Sequence, residues 1–210
     1  LPLNSKPLTL KLINMKKITI VMSLLVAATA MIVIACNEGK AKTSDTSTPA
    51  LSQEALIKRG EYIVTAAGCD DCHTPKKMGP NGPDLDIDRR FSGHPANEPT
   101  GKADTTVFKN GYVLFGMGLT NAVGPWGMSY AANITSDSTG IGMWTEQQFF
   151  NAIRKGLSKG LEGNRPLLPP MPWFAYKNYS DEDLRAIFAF LKSTKPVKNV
   201  VPQWKQLKDL

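Results

Sequence analysis

Apolar residues along this chain fall into one unbroken block, three helical stripes and a long interval with almost no period. The block occupies residues 18–34. The first stripe lies in residues 52–68, where Leu56, Gly60, Ile63, Val64 and Ala67 share one face at helical spacing. Gly60 in mid-helix costs stability, and either a close approach by another helix or simple tolerance accounts for it. The second stripe, residues 145–157, opens with Thr145 and Gln148 at capping-box spacing and carries Phe149, Phe150 and Ile153 on its apolar face. The third, residues 180–194, opens with Ser180 and Asp183 in the same relation. Its Leu184, Ile187, Phe188 and Leu191 recur at i, i+3, i+4 and i+7, and Pro196 stops it.

Between His73 and Asn133 the chain is rich in Gly and Pro. Residues 105–108 and 112–115 flank Lys109-Asn110-Gly111, and Asn-Gly predicts a hairpin there. The interval reads as a long insertion carrying one small hairpin, and loops of that length are usually functional or disordered. No internal repeat is visible. The pattern therefore predicts one helical domain over residues 52–197, followed by a tail at 198–210.

The apolar block has an address-like setting. Met15-Lys16-Lys17 precedes it and Ala35-Cys36 closes it, the order of a secretory signal with a small residue at the cut. Val33-Ile34-Ala35-Cys36 resembles a bacterial lipobox, in which Cys36 is lipidated and becomes the mature N-terminus. The run is near the lower limit for a membrane span, so an uncleaved anchor helix is the alternative. Residues 1–35 are thus expected to be an export signal whose true start is Met15. Residues 36–51 are expected to be a lipid-anchored linker, because residues 37–50 are small, polar and unable to bury a core. Both expectations place the protein on the periplasmic face of a bacterial membrane.

Charge changes the picture little. Of the formal net charge of +7, four charges come from Lys6, Lys11, Lys16 and Lys17, all before Cys36 and unopposed there by any Asp or Glu, leaving +3. No basic stripe interleaved with aromatics accompanies the sequence pI near 9.3, so nucleic acid is not an expected partner. With only 3 cysteines, and Cys36 assigned to the lipid, no pair is left for a structural disulfide once the other two are explained.

Those two explain themselves. Cys69-Asp70-Asp71-Cys72-His73 reads Cys-x-x-Cys-His, the attachment pattern of c-type haem. Two thiols one helical turn apart can add to the two vinyl groups of one haem, and the adjacent imidazole then faces the iron as the proximal ligand. A zinc site normally takes four protein ligands, and His94 is the only other histidine. A thioredoxin-type dithiol belongs in a βαβ setting, whereas this pattern is helical.

A six-coordinate haem needs a second ligand, and methionine there raises the reduction potential. Met15, Met22 and Met31 lie in the export segment and Met78 is too close to His73, leaving Met117, Met128, Met143 and Met171. Met171 is the strongest, because Leu168-Pro169-Pro170-Met171-Pro172-Trp173 stiffens the backbone on both sides of the sulfur. Met128 and Met143 stand behind it. His94, in Ser92-Gly93-His94-Pro95, would give a bis-histidine haem, but a lone His in such a loop is usually solvated. Trp144 and Arg165 are candidates for hydrogen bonds to the haem propionates. Lys76 and Lys77 are read as a solvated face, with steering of an acidic partner as the alternative. Asn133-Ile134-Thr135 matches the N-glycosylation pattern, to which no role is assigned.

Arg59-Gly60-Glu61-Tyr62, Cys69–His73, Asn133-Ile134-Thr135, Gly140-Ile141-Gly142 with Trp144-Thr145, Pro170-Met171-Pro172 and Asp181-Glu182-Asp183-Leu184 follow one another in a familiar order. Over residues 52–197 the chain resembles the class I cytochrome c domains of membrane-bound cytochrome subunits of alcohol and aldehyde dehydrogenases. The resemblance implies that Met171 is the distal ligand. Those subunits carry three haem domains, whereas this chain has one Cys-x-x-Cys-His. A dehydrogenase partner is therefore not implied; a single-haem electron carrier is.

The expected fold is all-α, a class I cytochrome c core around one covalent haem c, with the Gly/Pro-rich insertion. The expected function is transfer of single electrons between periplasmic or membrane redox partners (a dehydrogenase, an oxidase or another cytochrome), with no catalysis on the chain. A haem enzyme or a redox or gas sensor would instead require an open iron site.

Overall fold

The computed structural model describes residues 51–210. The export signal, Cys36 and residues 36–50 of the linker lie outside the described residues. All three striped segments are helices, and the second and third begin at the capping residues expected for them. Helix α1 (Gln53–Ala66) follows Ser52, whose Oγ accepts the Ala55 N–H at 3.2 Å. A turn at Gly68 leads straight into the short α2 (Cys69–His73). Helix α3 (Glu146–Lys155) has a complete capping box between Thr145 and Gln148. A single turn, α4 (Trp173–Tyr176), precedes α5 (Asp181–Ser193), which Ser180 caps by accepting from Asp183 N at 3.0 Å.

Helices α1 and α5 pack directly on each other. A Cβ placed on Gly60 would overlap the Ala186 carbonyl, so the glycine is there for close approach and not merely tolerated. Arg59 Nε reaches Asp183 at 2.7 Å beside the crossing. The core between them holds Val64, Leu184, Ile187, Phe190 and Leu191, with Phe149 and Ile153 of α3. Phe91, from the insertion, is 0% exposed and meets Phe190 edge-on, with ring centroids 5.9 Å apart. It adopts φ 64. A left-handed conformation costs a bulky residue roughly 1–2 kcal/mol, and full burial of its ring returns roughly 1.5–3, so the side chain decides the backbone.

The all-α expectation is not met outside this helical core. Residues between α2 and α3 build two small antiparallel sheets. One pairs β1 (Lys76–Gly79) with β2 (Gly82–Leu85); the other has the order β3 (Leu114–Phe115), β4 (Asn121–Gly124), β5 (Gly127–Tyr130). The hairpin expected around Lys109-Asn110-Gly111 is also corrected. Thr105–Asn110 is a 3-10 helix, because the Asp104 carboxylate accepts from Thr106 N at 2.9 Å and nucleates a helical turn. Gly111, at φ 80, provides its left-handed exit. Asn-Gly suits a hairpin turn and a helix exit equally, so the local signal was ambiguous.

Residues beyond Pro196 run back along the insertion. Met128 N donates to Lys205 O at 2.9 Å, and Lys205 N returns a bond to Met128 O at 3.1 Å. Trp204 Nε1 donates to Trp126 O at 2.8 Å. The Asn199 side chain donates to Ser92 O and His94 O at 2.7 and 2.8 Å. Among the described residues no helix is long and apolar enough to cross a membrane.

Candidate functional site

Helix α2 presents Cys69, Cys72 and His73, all partly buried, with both thiols free. His73 Nδ1 lies 2.7 Å from Ala132 O. A carbonyl can only accept, so Nδ1 carries the proton and Nε2 keeps its lone pair available to a metal. Burial lowers the imidazole's pKa, the Ala132 carbonyl opposing it, which favours the neutral ligand form.

The strap that supplies Ala132 is tied at many points. Asn133 is buried and uses its whole carboxamide. Its Nδ2 donates to Thr139 Oγ1 and Val197 O at 3.0 and 2.8 Å, and its Oδ1 accepts from Thr135 N and Oγ1 at 3.0 and 2.7 Å. The Asn-x-Thr pattern is therefore structural. Ile134 N donates to Phe91 O at 2.9 Å and His94 N to Ala131 O at 2.9 Å, so the insertion holds the strap from its other side.

Within the motif itself Asp70 is buried. Its carboxylate accepts from Arg90 Nε and NH2 at 2.9 and 2.7 Å and from Thr74 Oγ1 at 2.8 Å. The Thr74 oxygen in turn accepts from Phe91 N at 3.0 Å. Arg90 also sits 4.5 Å from the centroid of the Phe91 ring. Lys76, expected on a solvated face, is partly buried and donates to Asp71 O and Thr74 O, both at 2.7 Å, at the end of α2.

Burial, and then the negative charge of Asp70, push the Cys69 thiol up to about 12; burial and Asp71 raise Cys72 as well. Thiols held protonated are the reverse of an activated redox dithiol. Among the described residues no three His, Cys, Asp or Glu gather to hold a metal ion by themselves.

Met171 is partly buried against the same core as Cys69 and Trp144. Its segment is anchored to the haem-motif side by Tyr176, whose hydroxyl donates to Ala67 O at 2.9 Å. Tyr176 stacks on Tyr179 with centroids 5.7 Å apart. The rival methionines lie elsewhere. Met78, Met117 and Met143 are 76%, 87% and 79% exposed, and Met128 is buried in β5 with its sulfur accepting from Tyr130 Oη at 2.8 Å.

Trp144 shares the core with Met171, while Arg165 is exposed, donates to Pro166 O at 2.8 Å and lies 5.9 Å from the Trp204 ring. His94 is not solvated as expected but 0% exposed, with Nδ1 at 2.8 Å from Thr120 Oγ1 and its ring against Tyr130. Nε2 has no hydrogen-bond partner. Asp70, Arg90, Ser129, Tyr176 and Asn199 had no signal in spacing or periodicity; only contacts distant in sequence reveal them.

Burial lowers the His94 pKa below its ordinary 6.5, with Glu98 as the charge that opposes it. The sign follows. The unfolded chain binds the proton more readily, so the stability His94 contributes is complete above about pH 6.5 and is lost as pH falls below it, by up to about 1.4 kcal/mol per pH unit. Urea midpoints measured from pH 7 to 5 should fall more steeply in the wild type than in His94→Gln; equal slopes would refute this.

Haem fits these residues: two thiols a turn apart, a neutral imidazole with Nε2 free, and a thioether on a partly exposed apolar surface. No protein-family model matches the chain. It is 29% identical over 179 residues to the fructose dehydrogenase cytochrome subunit of Gluconobacter japonicus, covering 84% of this chain and 29% of that protein. It is 31% identical over 148 residues to the alcohol dehydrogenase (quinone) cytochrome c subunit of Gluconobacter oxydans, covering 70% of this chain and 23% of that one. To the gluconate 2-dehydrogenase cytochrome c subunit of Pantoea cypripedii it is 32% identical, with 70% and 25% covered. The chain spans less than a third of the length of the curated relatives it matches. It is a homologue of the cytochrome c subunits of alcohol, fructose and gluconate dehydrogenases.

Proposed function

We propose that this chain is a monohaem c-type cytochrome that passes single electrons between redox proteins, one of them a dehydrogenase. The observation that carries the reading is the His73 Nδ1–Ala132 O bond, which leaves Nε2 for iron on the helix that bears both thiols. The names of the relatives support the dehydrogenase partner. When bound, haem c supplies a one-electron couple between ferric and ferrous iron. Cys69 and Cys72 would hold it covalently, His73 would ligate the iron through Nε2, and Met171 would offer a neutral thioether, which favours the ferrous state. Trp144, packed on the same core as Met171, and Arg165, which is exposed with a single bond to Pro166 O, are the residues proposed to contact the propionates. Export and a lipid tether through Cys36 complete the proposal, placing the haem domain at the periplasmic face of a bacterial membrane.

The test is an absorption spectrum of the purified protein, oxidised and reduced, with a check for haem retained on the denatured polypeptide. A low-spin spectrum with haem that Cys69→Ser/Cys72→Ser abolishes is expected. A high-spin ferric spectrum that shifts on adding peroxide or carbon monoxide would transfer the assignment to an enzyme or sensor with an open iron site.

A further inference from the structure

We propose that Ser129 is a positioning residue for the distal ligand, holding the Met171 segment through the carbonyl of Pro169. The inference rests on the reading of Met171 as that ligand. Pro169, Pro170 and Pro172 have no N–H, and Met171 N is already bonded to Leu168 O at 3.2 Å. With its donors absent or spent, this stretch can be fixed from outside only through its carbonyls or its side chains. Ser129, 7% exposed in the middle of β5, supplies the hydroxyl, with Oγ at 2.6 Å from Pro169 O.

The direction of that bond is determined. A serine hydroxyl has one proton. The other acceptor, Ala122 O, stands at 3.4 Å, at the limit of a bond, so the proton goes to Pro169. Trp126 Nε1 donates into the same oxygen at 3.2 Å and orients it. Ser129 is fixed in turn by its pairing opposite Ala122 in the sheet.

The segment that leaves this strand reaches His73. Three residues on, Ala132 O takes the His73 imidazole at 2.7 Å. One short run, residues 129–132, therefore bonds to both candidate ligand segments, and the insertion acts as the gauge between them.

The test uses the haem-loaded protein and its Ser129→Ala and Ser129→Thr variants. Imidazole is titrated into each ferric form, with the weak long-wavelength band of sulfur-ligated ferric haem as the readout. Ser129→Ala should bind imidazole about tenfold more tightly, the value of one buried hydrogen bond, while Ser129→Thr, which keeps the hydroxyl, stays near wild type. Thr120→Val, which removes the Thr120 hydroxyl that pairs with His94 in the same insertion, controls for general loosening. It should lower the melting temperature without changing imidazole affinity. If Ser129→Ala lowers the melting temperature but binds imidazole within twofold of wild type, the residue is structural only and the proposal fails. If the wild-type ferric protein lacks the band altogether, the Met171 reading fails, and this proposal with it.

Discussion

Met171→Ala should abolish the long-wavelength ferric band, open the iron to exogenous imidazole and lower the reduction potential by on the order of 0.1 V or more, within the roughly 0.8 V that axial ligands span. The protein should remain folded. Met171 is only partly buried, so its truncation costs less than the 2–5 kcal/mol typical of a fully buried methionine. The discriminating comparison is Met128→Leu. Met128 is 4% exposed with its sulfur bonded to Tyr130, inside the β3–β5 sheet. Its loss should change stability and leave the band in place. Redox titration and spectra of the two variants side by side decide which sulfur meets the iron; a band that survives Met171→Ala and vanishes in Met128→Leu would overturn the assignment.

Arg90→Ala should be the most damaging single change away from the ligands. It strands the Asp70 carboxylate, whose side chain is 11% exposed, and removes the cation over the Phe91 ring. Breaking a buried ion pair by removing one partner costs 3–5 kcal/mol. Arg90 itself is 30% exposed, which reduces the expected loss to about 2–3 kcal/mol. The stranded charge lies inside α2, one turn from His73, and would stabilise ferric iron held there, so the potential should fall together with the urea midpoint. Asp70→Asn combined with Arg90→Met, which removes both charges, should recover much of the stability that Arg90→Ala loses. A double variant no more stable than the single would show that the pair is not what stabilises this corner.

The helices were legible because their signals are local. Thr145 and Ser180 cap the helices they were expected to cap, and the apolar stripes of α1, α3 and α5 meet in one core. The insertion was not legible in the same way. Its strands are two to four residues long, too short for a period to emerge from Gly-rich sequence, and Asn110-Gly111 ended a 3-10 helix where a hairpin was expected. His94 illustrates the other failure. A histidine between glycine and proline reads as solvated, and only Tyr130, Thr120 and the Asn199 side chain, brought in from elsewhere, bury it. Asp70 sat in plain view inside the motif, but its meaning depends on an arginine 20 residues away.

The crossing at Gly60 bears on the order in which this protein can be built. Its two helices lie at opposite ends of the folded region, with Arg59 and Asp183 separated by 124 positions. Contacts so distant close late, and α1 has no α5 surface to pack on until the chain as far as Ser193 has been made. Until then Cys69 lacks the core that partly covers it in the folded structure. On the proposed reading of Cys69 and Cys72, covalent attachment has a natural window that closes when α5 docks.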